Sequence, residues 1–367
     1  MKDIRVNIKK YPYHIIIGRN TIKFLPALLK KLSIGKDACI ITNPAIKKRY
    51  GSSVSRLLRA AGFSDKFIVV ADSEKSKSLA CAWRVIRNLA AYDKNKRIFI
   101  VALGGGVIGD LSGFIASVYK RGVGYIQVPT TLLAQVDSSI GGKTAVDLKE
   151  AKNLIGAFYH PRLVLSDVNF LKTLPKRQIK SGLAEVIKYG LIKDKRLFSF
   201  IENRYRDILS ADTASLEYIV AASAAIKAKI VSLDEKEEKG IRTLLNFGHT
   251  IGHAIEAAGG YLRYNHGEAI ALGMVFAADL SQRLRLLNQQ AFKRIVELIK
   301  DSGLPVSARN ISLQKVLNAH YRDKKFRGKR NRFVLINAIG EAKIKEGIPL
   351  KLIKKSLQKI LLPAYLL

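Results

Sequence analysis

Residues 97–120 read RIFIVALGGGVIGDLSGFIASVYK, an apolar β-branched run followed by three glycines and then by apolar residues at helical spacing. This pattern predicts a buried strand, a turn and a helix. Gly104, Gly106 and Gly109 fit G-x-G-x-x-G, in which glycines permit a tight turn and let helix N-terminal amides approach a pyrophosphate. The strand is a late one, however, and an acidic residue about 20 positions on is lacking until Asp137. The pattern therefore predicts either a dinucleotide site or a glycine turn without a ligand.

Strand and helix patterns alternate on both sides of this stretch. The strand-like runs HIIIGR, CIITN, FIVVAD and YIQVPT are separated by helical segments such as LACAWRVIRNLAAY. Repeated βα units predict a largely parallel sheet that is covered on both faces, with ligands beyond the carboxyl ends of its strands. We expect an α/β nucleotide-binding domain over residues 1–175.

The pattern changes near residue 174 to long amphipathic segments such as SLEYIVAASAAIKAKIVSL. A second, mainly α-helical domain is expected over residues 176–367, because 367 residues exceed what one hydrophobic core usually supports. Two late strand-like runs, NRFVLINAIG and EAKIKEG, predict a hairpin before a final helix, LKLIKKSLQKILL.

The amino-acid composition limits which classes of protein this chain could belong to. Apolar residues make up 48% and charged residues 25%, as in ordinary globular chains. Apolar stretches fall short of the roughly 18 residues that span a bilayer, and MKDIRVNIKK lacks the apolar core of a signal peptide, so we expect a cytoplasmic protein. The two cysteines, Cys39 and Cys81, cannot form a disulfide framework or a thiolate metal site. A metal ion would have to bind His, Asp or Glu.

The net charge is the one unusual property. Lysine and arginine number 64 against 29 acidic residues, which gives a formal charge of +35 and indicates an anionic partner. The lysines are scattered along the chain, without interleaved aromatic residues or a recognisable reading helix. This distribution favours a small anionic substrate over specific binding of nucleic acid.

A polar loop follows the strand-like run YIQVPT. Small hydroxyl groups, glycines and lysines at this density suit a cradle for an oxyanion, and the alternative is an ordinary polar surface loop. The residues concerned are Thr130, Thr131, Asp137, Ser138, Ser139, Gly141, Gly142, Lys143, Lys152 and Asn153.

Histidines cluster in the helical half, in NFGHTIGHAIEAAGGYLRYNHGE. His249 and His253 are four residues apart and share a helix face, and His266 opens the next helical segment. Such a set offers nitrogens to a zinc-type ion, and a carboxylate from elsewhere would complete the site. Glu185 and Lys188, three apart in GLAEVIKYGLI, are either a simple intrahelical ion pair or a metal ligand beside a substrate-binding ammonium.

Taken together, several long motifs resemble those of the 3-dehydroquinate synthases. They occur in that family's order, from about residue 43 to residue 340. The motifs are GGGVIGDLSGFIASVYKRG, VPTTLLAQVDSSIGGKTAVD, KNLIGAFYHP, GLAEVIKYG, DEKEEKGIRTLLNFGHTIGHAIE, HGEAIALGM and DKK with the later RFVL and AIG.

The resemblance implies a fold and a metal site. The fold is an α/β NAD-binding domain plus a helical domain, with the active site in the cleft between them and usually a homodimer. The zinc or cobalt ligands would be Glu185, His249 and His266, which replaces a pairing of His249 with His253 based on spacing alone. His253 would instead be a catalytic proton-transfer residue.

The resemblance also assigns positions to NAD and to the substrate. Catalytic positions besides His253 would be Lys152, Glu185 and Arg121. NAD would contact Asn43, Asp72, Glu74, Lys77, Gly106, Val107, Ile108, Gly109, Asp110, Thr130, Thr131, Asp137, Lys143, Lys152, Phe170, Leu171, Lys172 and Thr173. The substrate would contact Arg121, Lys143, Lys152, Asn153, Lys188, Lys227, Arg242, Asn246 and Lys324 or Lys325. One departure occurs, since the family's Asp-Gly-Glu reads Asp72-Ser73-Glu74 here.

The implied reaction converts 3-deoxy-arabino-heptulosonate 7-phosphate to 3-dehydroquinate and phosphate, through transient oxidation by NAD, β-elimination, reduction and aldol closure. Two enzyme alternatives are another sugar-phosphate cyclase, of the inosose or valiolone type, and a metal-dependent polyol dehydrogenase that releases NADH. Retention of Lys227, Asn246 and the lysines of DKK favours the dehydroquinate branch. A third alternative is a binding protein with a structural metal ion, and it leaves the lysines of the polar loop unexplained.

Overall fold

The computed structural model describes residues 1–148, 152–322 and 331–362, and the chain divides into two compact units. The sheet unit comprises Met1–Leu174 with Leu216–Lys236, and the helical unit comprises Pro175–Ser215 with Glu237–Leu367. This division differs from the predicted boundary at residue 175 by one segment, residues 216–236.

A seven-stranded sheet forms the centre of the sheet unit, in the order β1-β2-β9-β6-β5-β3-β4. All neighbours are parallel except β1 and β2. The α/β fold class is thereby confirmed. Its strands are β1 (Lys2–Val6), β2 (Tyr13–Gly18), β3 (Asp37–Thr42), β4 (Ser64–Val69), β5 (Ile98–Gly104), β6 (Tyr125–Pro129) and β9 (Leu163–Asp167), and a separate antiparallel hairpin pairs β7 (Lys143–Val146) with β8 (Ile155–Phe158).

Helices cover both faces of this sheet, which explains its continuous apolar strands. Ile100 and Ala102 of β5 belong to one buried cluster, whereas Phe99, Val101 and Leu103 belong to another. The helices of the sheet unit before residue 174 are α1 (Leu25–Leu32), α2 (Pro44–Ile46), α3 (Ser52–Ala60), α4 (Leu79–Tyr92) and α5 (Gly106–Val118). Five of the seven sheet strands coincide with predicted runs, while β1 and β9 carry short patterns that the prediction did not include.

Helix α8 (Thr213–Leu233) explains the segment that departs from the predicted boundary. Ser232 Oγ accepts a hydrogen bond of 2.9 Å from the backbone N–H of Asn7, and Lys227 Nζ lies 2.8 Å from Asp137 Oδ1. These interactions tie residues 216–236 to the sheet unit, and the helical pattern of the sequence carried no sign of them.

The helical unit contains the remaining elements. Its two principal strands, β11 (Arg332–Ala338) and β12 (Glu341–Glu346), form the predicted antiparallel hairpin. Helix α13 (Leu350–Ile360) follows it. The other helices are α6 (Lys176–Lys193), α7 (Lys195–Leu209), α9 (His249–Ala258), α10 (His266–Arg283), α11 (Gln289–Asp301) and α12 (Leu313–Arg322), and a short parallel pair joins β10 (Ala308–Arg309) to β13 (Leu361–Leu362). In the described ranges, every helix is too short or too polar to cross a bilayer.

Candidate functional site

Three predicted metal ligands converge inside the helical unit. Glu185 Oε1 lies 3.3 Å from His249 Nε2 and 3.0 Å from His266 Nε2. The Glu185 side chain is 0% exposed. Two ligand atoms bound to zinc at about 2.0–2.2 Å and a tetrahedral angle would be about 3.3–3.6 Å apart, close to the distances found here. One carboxylate oxygen and two imidazole nitrogens also form a donor set that suits Zn²⁺ or Co²⁺. The residues therefore fit a divalent ion.

A stripe of α6 fixes the start of α10. Arg177, Ser181 and Glu185 are four residues apart, so they lie along one face of α6. Arg177 donates two hydrogen bonds of 2.8 Å to the carboxylate of Glu268 in α10. Ser181 Oγ accepts one of 3.1 Å from the backbone N–H of Gly267. The three facing residues of α10 are His266, Gly267 and Glu268. A Cβ on Gly267 would overlap the backbone of Ser181, so only glycine allows the two helices to approach this closely.

The N-terminus of α10 is also capped. Asn265 Oδ1 accepts a hydrogen bond of 2.9 Å from the backbone N–H of Glu268, and Glu268 Oε2 accepts one of 2.9 Å from the backbone N–H of Asn265. This capping box explains why the helix begins at His266. Glu268 therefore serves the helix terminus and pairs with Arg177.

Close packing of α9 against α10 brings the two histidines together. A Cβ on Gly273 would overlap the carbonyl oxygen of Gly248, and Gly248 has a φ of 78°, which favours glycine. His249 follows directly, and its Nδ1 lies 3.1 Å from the carbonyl oxygen of Phe247. With Nδ1–H donating to this carbonyl, the Nε2 lone pair is available to a metal ion.

Lowered pKa values leave two of the three predicted ligands, Glu185 and His249, in the deprotonated form that binds a cation. Burial would raise the pKa of Glu185, but the Lys188 ammonium and His249 hold it well below its ordinary value. Burial lowers the pKa of His249, and Lys188 lowers it further against the effect of Glu185. Burial also lowers the pKa of His266, but the nearby carboxylates of Glu185 and Glu256 raise it to about 10. A metal ion that bound His266 would therefore displace a proton.

His253 lies next to this set. Its ring centroid is 5.3 Å from that of His249 and 6.2 Å from that of His266. Among the described residues, a second group with ligand atoms within 4.8 Å of one another consists of His253, Glu256 and His266. Glu256 was missed by the sequence prediction, although its position three residues after His253 puts it on the same helix face.

The predicted NAD positions follow the carboxyl ends of parallel strands. Asn43 follows β3, residues 72–77 follow β4, Gly106 to Asp110 follow β5, Thr130 and Thr131 follow β6, and Phe170 to Thr173 follow β9. The chain runs from β3 outward to β4 and then returns to β5 on the other side of β3. Such a reversal opens a crevice at the carboxyl ends of the two inner strands, where ligands bind in open α/β sheets. Asn43 and Gly105 border this crevice.

Two of the glycines after β5 also have a packing role, which is separate from the predicted approach to a ligand. Gly105 has a φ of −81°, outside the left-handed region. A Cβ on Gly104 would lie 2.6 Å from Ile108 Cγ1, and one on Gly109 would lie 2.5 Å from Gln127 Oε1. These glycines therefore permit close packing of α5 against the sheet. The left-handed conformation occurs instead at Gly141 and Gly142, with φ values of 101° and 66°.

Charged side chains connect three segments of the sheet unit. Lys77 Nζ lies 2.6 Å from Asp110 Oδ2 and also contacts Asn153 Oδ1. Burial lowers the pKa of the Lys77 ammonium, but Asp110 outweighs burial and raises it. Lys152 Nζ lies 3.6 Å from Glu74 Oε1. The segment after β4, helix α5 and the polar loop are thus in contact with one another, so their side chains lie close enough to line one ligand site.

Other predicted residues have more varied surroundings. Lys227 Nζ donates a hydrogen bond of 2.8 Å to the carbonyl oxygen of Asp137, and Asn246 Nδ2 donates one of 2.9 Å to Glu237 Oε1. Arg121 and Asn153 have φ values of 61° and 56°, a conformation that non-glycine residues adopt mainly at turns and functional sites. Five further positions differ in how far they are exposed. Arg242 is buried in the helical unit, Lys143 is exposed at the start of β7, Phe170 and Leu171 have buried side chains and so offer only backbone atoms to a ligand, and Lys172 is exposed.

Lys324 and Lys325 lie outside the described residues. The remaining NAD candidates, Asp72, Val107 and Ile108, belong to the segments after β4 and β5. Ile108 is 3% exposed, so it also offers backbone atoms.

Comparison with known proteins covers nearly the whole chain. Models of the 3-dehydroquinate synthase N-terminal and C-terminal regions match residues 67–181 and 182–326. A 3-dehydroquinate synthase from Caldanaerobacter subterraneus subsp. tengcongensis is 45% identical over 359 residues, which cover 96% of this chain and 100% of that protein.

Two solved structures have the same fold. The crystal structure of 2-deoxy-scyllo-inosose synthase complexed with carbaglucose-6-phosphate, NAD⁺ and Co²⁺ has a TM-score of 0.87 at 25% identity, over 98% of this chain and 100% of that one. The 2-epi-5-epi-valiolone synthase from Streptomyces hygroscopicus subsp. jinggangensis 5008, with NAD⁺ and Zn²⁺ bound, has a TM-score of 0.88 at 25% identity, over 96% and 98%.

Proposed function

The chain belongs to the 3-dehydroquinate synthase family, and we propose how its residues divide the work of that enzyme. The enzyme is a carbon–oxygen lyase that uses NAD and a divalent metal ion to convert 3-deoxy-arabino-heptulosonate 7-phosphate into 3-dehydroquinate and phosphate. Transient oxidation, β-elimination of phosphate, reduction and intramolecular aldol closure make up the reaction. Identity of 43–45% to 3-dehydroquinate synthases, against 25% to the inosose and valiolone synthases, favours this substrate over those of the other cyclases.

Glu185, His249 and His266 would hold the metal ion. The observation that carries this assignment is the convergence of Glu185 Oε1 with the two Nε2 atoms at 3.3 and 3.0 Å. A bound zinc or cobalt ion supplies a Lewis acid to the substrate oxygen atoms. Glu185 has a further task, because its Oε2 contacts Lys188 Nζ inside a buried part of α6. Glu185 thereby holds the Lys188 ammonium in place to bind an anionic or hydroxylated substrate.

NAD would lie along the carboxyl edge of the sheet. Bound NAD supplies the hydride acceptor and donor of the reaction. The first turn of α5 begins directly after β5, and a helix N-terminus attracts phosphate groups. Carboxylates of Asp72 and Glu74 follow the neighbouring strand β4 and suit the hydroxyl groups of a ribose. The residues after β3, β6 and β9 would complete the site.

Basic side chains would anchor the substrate. Its carboxylate and phosphate call for charged donors, which Arg121, Lys152, Lys188, Lys227 and Arg242 supply. Lys143, Asn153 and Asn246 would add donors to the hydroxyl groups, together with Lys324 or Lys325. His253 is exposed beside the metal ligands, and we assign to it the transfer of a proton to or from the substrate.

A turnover experiment tests the whole assignment. Purified chain with Zn²⁺ or Co²⁺ and NAD⁺ at one tenth of the substrate concentration should release a full equivalent of phosphate without accumulating NADH. Released phosphate is measured by a colorimetric assay, and NADH by its absorbance. Net NADH formation in proportion to product would indicate a polyol dehydrogenase, and lack of turnover with metal bound would favour a binding protein.

We also propose a cytoplasmic homodimer and a boundary between the domains near residue 175. The dimer and the compartment rest on the family resemblance, and the boundary on the change from βα units to helices near Leu174. Light scattering on the purified chain measures the molar mass. A mass of about twice 40.7 kDa supports the dimer, and a mass of 40.7 kDa refutes it.

A further inference from the structure

Each metal-ligating histidine has an oxygen acceptor near its second ring nitrogen. His249 presents Nε2 to Glu185 and Nδ1 to the carbonyl oxygen of Phe247 at 3.1 Å. His266 presents Nε2 to Glu185 at 3.0 Å and Nδ1 to Glu256 Oε2 at 3.7 Å. The two histidines therefore share one arrangement, although the acceptor of His266 is a carboxylate on another helix.

Glu256 is placed by α9 and is mostly shielded from water. The residue is 7% exposed, and it lies one turn after His253 on the face that points toward the start of α10. A buried carboxylate is costly unless positive charge lies close to it. A divalent ion and the Lys188 ammonium both bring positive charge to this region, and the Glu185 carboxylate offsets only part of it. A second carboxylate at Glu256 brings the buried charges closer to balance.

We propose that Glu256 is a positioning residue for the metal site, which holds the imidazole of His266 with Nδ1–H toward its own carboxylate and Nε2 toward the ion. This inference rests on the proposed metal site and extends it by one residue. A carboxylate behind a ligating histidine fixes the orientation of the ring and makes its metal-bound nitrogen more basic. Glu256 touches the ligand and acts through it, so it is not itself a ligand or a catalytic group.

A positioning role differs from a second ion site in the number of ions that it requires. His253, Glu256 and His266 could form a metal site of their own, since their ligand atoms lie within 4.8 Å of one another. In that arrangement His266 would serve one ion through Nε2 and another through Nδ1. The positioning role instead commits Nδ1 to a hydrogen bond and requires one ion per chain.

Metal binding by the full chain tests the proposal. We would measure Zn²⁺ affinity by competition with a chromophoric chelator, and the visible absorption of bound Co²⁺, for the wild type, Glu256→Gln and Glu297→Gln. Glu297 is a matched control, because it is 57% exposed on α11 and pairs with Lys293 at 3.8 Å. We expect one ion per wild-type chain, about 10–100-fold weaker binding and a shifted Co²⁺ spectrum in Glu256→Gln, and wild-type behaviour in Glu297→Gln.

Two outcomes would overturn the role of Glu256 alone: Glu256→Gln binding both ions within twofold of the wild type with the same Co²⁺ spectrum, or two ions per wild-type chain. Failure of the wild type to bind either ion would instead overturn the proposed metal site, and the inference with it. If Glu256→Gln does not fold, as judged by its melting curve, Glu256→Asp keeps the charge and shortens its reach. Metal affinity of Glu256→Asp within twofold of the wild type would then refute the proposal, and weaker binding with a normal melting curve would support it.

Discussion

The two units of this enzyme assemble their candidate sites by different means. In the sheet unit, the proposed NAD positions come from loops that follow β3, β4, β5, β6 and β9, and parallel strands bring those loops to one edge whatever the side chains are. In the helical unit, the proposed metal ligands lie in the middle of α6 and at the first residues of α9 and α10. Their convergence depends on how closely three helices approach one another.

Because of this difference, small displacements of atoms should affect the helical site more than the site in the sheet unit. A metal ion needs three donor atoms within a few tenths of an ångström of their places, whereas a dinucleotide spreads over many contacts. Substitutions in the helical unit should therefore change function more steeply than equivalent substitutions in the sheet unit. Three experiments examine this comparison.

The largest effect is expected at the proposed ligand His249 when it is compared with its neighbour His253. His249→Ala should lose tightly bound metal, with affinity lowered by more than about 100-fold, because one of three protein donors is gone. His253→Ala should retain the metal ion and lose rate, because we assign to His253 a proton transfer and not a bond to the ion. Metal content after dialysis is measured by atomic emission, and rate by phosphate release with saturating NAD⁺.

The two variants control each other, since both replace a histidine with alanine one helical turn apart on α9. Equal metal loss in both would show that His253 binds the ion as well as His249. Full metal retention in His249→Ala together with metal loss in His253→Ala would show that the ion lies in the group of His253, Glu256 and His266. Either result would contradict the assigned division of roles between His249 and His253.

A smaller effect is expected when a single methyl group is added at a helix contact in each unit. Gly273→Ala would drive a Cβ into the carbonyl oxygen of Gly248, at the junction of α9 and α10. Because backbone cannot move aside, we expect a loss of about 1–3 kcal/mol or more in the free energy of unfolding. Gly109→Ala meets the end of the Gln127 side chain at 2.5 Å, which can rotate, and alanine is the better helix former by about 1 kcal/mol.

Denaturant unfolding of the full chain measures both changes. Gly109→Ala is expected to lie within about 1 kcal/mol of the wild type, so the helical variant should be the less stable of the two. A sheet variant that is destabilised as much as Gly273→Ala would contradict the greater sensitivity of the helical unit. Zn²⁺ binding by Gly273→Ala, measured under conditions where the chain is folded, would show whether the clash at Gly248 also displaces His249.

The fold was largely predictable because periodicity records burial. β5 is apolar on both faces, and each of its residues from Phe99 to Leu103 enters one of two buried clusters, so a continuous apolar run identified it. The segment 216–236 was not assigned to the sheet unit, because its partners Asn7 and Asp137 lie far away in sequence. A helix pattern records that one face is buried and does not record against which element.

The site was predictable to a smaller extent from spacing. His249 and His253 share a helix face, and their spacing alone suggested a metal pair, whereas the carboxylate partner, Glu185, is supplied by α6. Spacing left Glu185 as either a partner of Lys188 or a metal ligand, and only the resemblance to a family chose the ligand, because local spacing does not record the geometry between helices. Neither the spacing nor the resemblance indicated Glu256, because its proximity to His266 Nδ1 is visible only in the structure.

The smallest effect is expected at the exposed end of the α6 stripe. Arg177 is 61% exposed and pairs with Glu268 through two hydrogen bonds of 2.8 Å, so Arg177→Ala should cost about 0.5–1 kcal/mol at pH 7. Burial would raise the pKa of Glu268, but Arg177 and the backbone N–H of Asn265 lower it below its ordinary 4.5. A carboxyl whose pKa is depressed by folding contributes stability above its unfolded pKa and loses it as the pH falls. The difference between wild type and Arg177→Ala, measured by urea unfolding, should therefore be constant between pH 6 and 8 and shrink below about pH 4.5, and a difference that grows in acid would show that the pair does not stabilise the start of α10.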